Sequence, residues 1–135
     1  MATRPTSTSK IKKVHLHRQS RRLELIVDEV SYQLSAEYLR VHSPSAEVRG
    51  HGTDQGELPF GKINVGINNI NAMGNYGLRI DFNDGHNSGI YTWSYLTELC
   101  LNCDKNWQTY IAKLRREGKH RDPDTRVIQF TPHKQ

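Results

Sequence analysis

Four groups of side chains in this 135-residue chain have the types and spacing to do chemistry. His15 and His17 alternate with Val14 and Leu16, so on a strand their imidazoles share one face about 7 Å apart. Such a pair holds a metal ion only with a third ligand from another element; without one it is a polar strand face. Cys100-Leu101-Asn102-Cys103 is a C-x2-C element, half of a zinc or iron–sulfur site, and the sequence has no second one. His42 or His86 could in principle complete it. Cys100 follows amphipathic helix instead of the strand-to-helix turn that a redox dithiol needs, which favours a pair of small core hydrophobes. Ser43-Pro44-Ser45 offers two hydroxyls three residues beyond Arg40, and Asp84-Gly85-His86 puts a carboxylate and an imidazole on one tight turn.

None of these groups assembles into a reaction template. The chain has no Gly-x-Ser-x-Gly elbow, no Gly-x4-Gly-Lys-Ser/Thr loop and no His-Glu-x2-His helix. The expectation is a protein that is not an enzyme, with no catalytic residue, no bound metal and no cofactor. His120 and His133 fall in the C-terminal tail and suggest no local role.

The elements that must position these groups follow from periodicity. Val14 and Leu16 mark a short first strand. Leu23, Leu25 and Val27 give a second strand with an apolar face, turning at Asp28-Glu29 into Val30–Leu34, so residues 22–34 read as a hairpin. Ser35 is placed to cap a short helix from Ala36 to Arg40. Residues 49–61, with four glycines and a proline, read as a loop. Ile63, Val65 and Ile67 suggest a further strand, and Tyr76, Leu78, Ile80 and Phe82 the clearest one. After the Asn83–His86 turn, where Gly85 can take a positive φ, the chain returns as a strand from Ile90 to Trp93. From Ser94 the period becomes helical, with Trp93, Leu96 and Cys100 on one face. A break is expected at Asn102–Asp104, with Asp104 as cap of a second helix carrying Trp107, Tyr110, Ile111 and Leu114. Gly118 should end it. Beyond lies an extended segment with a late strand at Val127–Phe130.

Strands first and helices last predict a single α+β domain, a small antiparallel β-sheet packed against a C-terminal helical segment. Residues 1–10 read as a disordered tail, 11–117 as the domain and 118–135 as a basic, largely extended tail. Residues 1–22 carry seven Lys/Arg and no acid, whereas residues 23–113 carry six basic and eleven acidic side chains. The basic character therefore sits at the ends. Lys10, Lys12, Lys13, Arg18, Arg21 and Arg22 are not interleaved with base-stacking aromatics, so a solvated tail and strand edge are preferred to nucleic-acid binding. No stretch is apolar enough to span a membrane and no apolar signal region opens the chain, so a cytoplasmic protein is expected.

Several stretches occur together and in order. They are residues 16–25, Leu39-Arg40-Val41-His42-Ser43-Pro44-Ser45-Ala46-Glu47-Val48-Arg49-Gly50-His51-Gly52, Gly74–Leu78, and Phe82-Asn83-Asp84-Gly85-His86-Asn87-Ser88-Gly89-Ile90-Tyr91-Thr92-Trp93-Ser94-Tyr95-Leu96. This chain resembles the gamma-butyrobetaine hydroxylase-like N-terminal domain family over about residues 11–114. The resemblance implies a non-catalytic domain, found as small stand-alone bacterial proteins and ahead of the 2-oxoglutarate and iron oxygenase domain of hydroxylases. It is also found fused to iron–sulfur cluster carriers of the ParA/Mrp type. In the hydroxylases the resemblance implies a structural zinc held by three cysteines and a histidine. Carried onto this sequence, the cysteines fall on Ser43, Ser45 and Val48 and the histidine on His86. Serine hydroxyls are poor zinc ligands beside thiolates and valine is none, so the zinc site is expected to be absent. No oxygenase domain is expected either.

What remains is a polar cluster in which His86 can hydrogen-bond Ser43 or Ser45, or a binding surface made of Arg40, Ser43, Ser45, His51, Asp84 and His86. The leading expectation is a binding or adaptor module acting on a protein partner. The alternatives are an accessory factor in iron–sulfur cluster assembly or delivery, suggested by the carrier fusions and Cys100/Cys103, and nucleic-acid binding through the basic termini.

Overall fold

Alternation along residues 22–34 builds the first hairpin of the computed structural model, which describes residues 10–45 and 58–123. Strands β1 (Ile11–His17), β2 (Arg22–Val27) and β3 (Val30–Ser35) form one antiparallel sheet in the order β1-β2-β3. The β2–β3 turn is closed by two residues, Asp28 and Glu29, at φ 49 and 72. Positive φ at both positions matches the right-handed twist of the flanking strands, so the hairpin forms without a glycine. Asp28 is also tied to Lys10, whose carbonyl accepts from the Asp28 N–H at 3.3 Å. Helix α1 (Ala36–Val41) follows directly, and Ser35 caps it by accepting from the Tyr38 N–H at 3.0 Å.

Strands β4 (Ile67–Met73), β5 (Gly77–Phe82) and β6 (Ile90–Thr92) make a second antiparallel sheet in the order β4-β5-β6. The α+β class and antiparallel pairing are as the sequence predicts, and the strands divide between two three-stranded sheets. The strand expected around Ile63 and Val65 begins later, at Ile67. Before it the chain turns, with the Val65 N–H bonded to the Lys62 carbonyl at 3.0 Å. The Gly66 N–H goes to the Asn83 side chain at 3.0 Å instead of joining a ladder.

Helices α2 (Trp93–Leu101) and α3 (Cys103–Glu117) are separated at Asn102. Asn102, not Asp104, occupies the N-cap of α3, and it makes no side-chain capping bond. It already serves as C-cap of α2 at φ −110, so the two helices share one residue with no free turn in which Asp104 could act. Gly118 ends α3 in the left-handed region at φ 66, as expected of a C′ glycine.

One core joins both sheets and α1 and α2. Leu23 and Leu25 from β2, Leu39 from α1, Ile80 from β5, Tyr91 from β6, and Leu96 and Leu99 from α2 are all at most 1 % exposed. Three tyrosine hydroxyls satisfy backbone carbonyls across the elements. Tyr38 donates to the Leu99 carbonyl at 2.7 Å, Tyr91 to that of Leu39 at 2.5 Å and Tyr95 to that of His42 at 2.6 Å. These bonds lock α1 against β6 and α2, and no buried hydroxyl among the described residues is left idle.

Past Gly118 the chain packs back on the domain. The His120 and Arg121 carbonyls accept from the Gly61 and Ile63 N–H groups at 2.8 and 3.0 Å. Arg121 meets Glu37 through two bonds of 2.8 and 2.7 Å, although Glu37 is only 5 % exposed. The expected N-terminal tail 1–10 except its last residue, the expected loop 49–61 as far as residue 57 and the late strand at Val127–Phe130 lie outside the described residues. Among the described residues no helix is long and apolar enough to cross a membrane.

Candidate functional site

The Asp84 turn and the segment after α1 come together where the ends of α1 and β5 meet. Phe82 pairs with Ile67 at the end of β5, after which the Gly85 N–H bonds the Phe82 carbonyl at 3.1 Å. The Phe82 N–H in turn bonds the His86 carbonyl at 3.0 Å, closing a tight loop that turns the His86 ring inward. Gly85 stands at φ 91, a conformation only glycine adopts without strain. Asp84 stabilises the same loop by accepting from the His86 N–H at 3.1 Å.

His86 Nε2 shares a hydrogen bond of 2.8 Å with Ser43 Oγ and lies 3.5 Å from Ser45 Oγ. Ser43 Oγ also accepts from the Ser45 N–H at 3.3 Å, a local turn that serine favours. All three side chains are buried, Ser43 completely. Gly89 covers them. A Cβ there would lie 2.5 Å from Ser43 Oγ and 2.9 Å from Pro44 Cδ, so glycine is required by close approach. Nothing in the periodicity around Gly89 signals this role.

Above this buried knot sits a charge cluster. Asp84 Oδ2 accepts from Arg40 Nε at 2.9 Å and from Lys62 Nζ at 2.6 Å. Burial raises the Asp84 pKa, but Lys62, the His86 N–H and Arg40 outweigh it and hold the carboxyl down to about 2. Lys62 was not among the sequence candidates, since it lies in a loop with no motif. Arg40 Nη1 is buried without a hydrogen-bond acceptor among the described residues.

The structure thus brings Arg40, Ser43, Ser45, Asp84 and His86 together, with Arg40 and Asp84 at the rim and the other three beneath. His51 and Val48 lie outside the described residues. A serine beside an imidazole suggests acyl transfer, yet here Ser43 has no exposed surface for an electrophile to approach. Asp84 meets the His86 backbone N–H and the two cations. A zinc ion does not fit this donor set, because Ser43 and Ser45 supply hydroxyls where thiolates are needed and one of them already engages His86 Nε2.

Cys100 and Cys103 take part in none of the bonds given above for this site. Cys100 belongs to the main core at 2 % exposure, and burial pushes its thiol up to about 12. Burial also raises Cys103. His42 bonds the Tyr38 carbonyl through Nδ1 at 2.9 Å, and burial lowers its pKa.

Comparison with known proteins places the chain in a family. The family model described as "Gamma-butyrobetaine hydroxylase-like, N-terminal" matches residues 14–97. No curated protein matches the chain. A protein solved by solution NMR is 46% identical, with 91% of this chain and 98% of that chain covered and a TM-score of 0.78. A second NMR structure is 39% identical, covering 96% and 98%, with a TM-score of 0.72. A crystal structure of a protein of unknown function of the DUF971 family from Acidithiobacillus ferrooxidans is 30% identical, covering 72% and 97%, with a TM-score of 0.56. With its fold, its Asp84 turn and its matched span taken together, the chain belongs to the gamma-butyrobetaine hydroxylase-like N-terminal domain family.

Proposed function

We propose that the protein is a non-catalytic binding module that acts on a protein partner in the cytoplasm through the surface around Asp84. The observation that carries this reading is the division of labour at the site. The groups able to do covalent chemistry, Ser43 and His86, are buried and bonded to each other. The groups left at the rim, Arg40, Lys62 and Asp84, are charged and held in place by one another. A rigid, charged rim over a sealed interior suits recognition, because little side-chain entropy is lost when a partner docks.

The test compares tagged wild-type protein with Lys62→Glu and Arg40→Glu/Asp84→Arg variants in recovery of partners from the native cell. A partner retained by wild type and lost by both variants, with circular dichroism unchanged, supports the reading. Equal recovery by all three, or turnover of activated esters by purified protein that disappears in Ser43→Ala, overturns it.

A further inference from the structure

We propose that His15, His17 and Glu24 form a binding site for a divalent transition-metal ion of the zinc, nickel or copper type. The sequence offers two imidazoles on one strand face; the fold adds the third ligand. His15 of β1 is directly paired with Glu24 of β2, and paired residues of antiparallel strands point to the same face. His17 Nε2 lies 2.9 Å from Glu24 Oε1, and the His15 and His17 rings lie with centroids 4.2 Å apart, tilted by 35°. One ligand atom from each of the three side chains falls within 4.8 Å of the others. Bonds of about 2.0–2.2 Å to a central ion need donors closer than that, a gap closed by small side-chain rotations.

The donor set decides the class of ion. Two imidazole nitrogens and one carboxylate suit zinc, nickel or copper, whereas calcium and magnesium demand oxygen ligands. Glu24 is oriented from behind by Ser31 Oγ, which donates to Oε2 at 2.8 Å and leaves Oε1 directed toward the histidines. That is how outer groups fix a ligating carboxylate. Lys13 lies two residues before His15, and Arg22 is paired with His17. Both side chains are solvated and their repulsion of a cation is screened over about 8 Å at physiological salt, so they weaken the site without closing it. Three protein ligands at a solvent-facing position leave coordination places for water or for a side chain of another molecule, so the ion held there is exchangeable.

This site lies on the β1–β2 face, apart from His86, and does not depend on the partner role proposed above. The test uses the full chain without a histidine tag, stripped with chelator and titrated with Zn²⁺ by calorimetry and with Cu²⁺ by electron paramagnetic resonance. The expected result is one ion per chain, with a copper signal split by two imidazole nitrogens. His15→Ala and His17→Ala should each weaken zinc binding about tenfold or more, Glu24→Gln should weaken it as well, and His120→Ala should leave it unchanged. All three ligand side chains reach solvent, so the variants should melt with the wild type. Absence of saturable binding, affinity undiminished in both histidine variants, or a wild-type copper signal without two nitrogens would each overturn the proposal.

Discussion

Ser43 and His86 stand 43 residues apart in the chain and meet at 2.8 Å between Oγ and Nε2, inside the protein. That bond joins the segment after α1 to the loop after β5, and so fastens the first half of the domain to the second. Its value is largest when one side is removed, because the other is then stranded away from water.

Replacing Ser43 by alanine should therefore destabilise the fold by about 1–3 kcal/mol, the cost of leaving a buried polar group unpaired. Urea unfolding followed by circular dichroism measures it. Loss of less than a few tenths of a kcal/mol would mean that Ser45 Oγ, 3.5 Å from His86 Nε2, takes over the bond.

Gly89→Ala should cost about 1–3 kcal/mol through overpacking, since its new methyl would press on Ser43 Oγ and Pro44. The same change combined with Ser43→Ala should cost less than the sum of the two. A double-mutant cycle with no coupling would disprove the close approach of these residues.

Acid should remove the contribution of Asp84. Its folded pKa of about 2 lies below the model-peptide value of 3.8, so the unfolded state binds the proton first as pH falls. The stability is present above about pH 4 and is lost between about pH 4 and 2, amounting to roughly 1–2 kcal/mol once solvent screening is allowed for. Asp84→Asn should flatten stability against pH in that window, and an unchanged slope would count against the ion cluster.

Thiol reagents at pH 8 should modify Cys103 slowly and spare Cys100 until the protein is unfolded, because Cys100 is 2 % exposed with its pKa raised to about 12. Quantifying free thiols with and without denaturant is sufficient. Rapid labelling of both in the folded protein would remove Cys100 from the core.

Arg121→Ala should lower stability by about 2 kcal/mol, since it leaves the Glu37 carboxylate buried without its cation. The full buried-pair figure is not expected because Arg121 is 39% exposed. Glu37→Gln in the Arg121→Ala background should recover part of the loss, and thermal melts of the four proteins decide it.

Much of this architecture was legible in the sequence where the signal is local. Alternation in Leu23–Val27 and Leu78–Phe82 gave strands, Ser35 gave a cap, and Gly118 gave a helix end. Strand β4 was legible only in part. Its asparagines at 68, 69 and 71 break the apolar pattern, and side-chain bonds such as Asn71 to Asp81 at 3.2 Å hold it instead. The cap at Asn102 was missed because two helices share it. At the site, the approach of His86 to Ser43 and Ser45 was readable from the resemblance, whereas Lys62 and Gly89 became visible only when the chain was closed in space. Glu24 was hidden in the same way. A strand reveals which of its own residues share a face, but not which residue the neighbouring strand will set opposite.

The Glu37–Arg121 pair also sets an order on synthesis. Its partners are 84 residues apart, and Glu37 is made long before the cation that neutralises it. A nascent chain that has emerged only as far as Gly118 already has every strand and helix described here, yet lacks the cation that Glu37 meets in the finished domain. Closure gains this stabilisation only after the residues beyond α3 have left the ribosome, so the last described turn of the chain acts as a late latch on a fold begun at its other end.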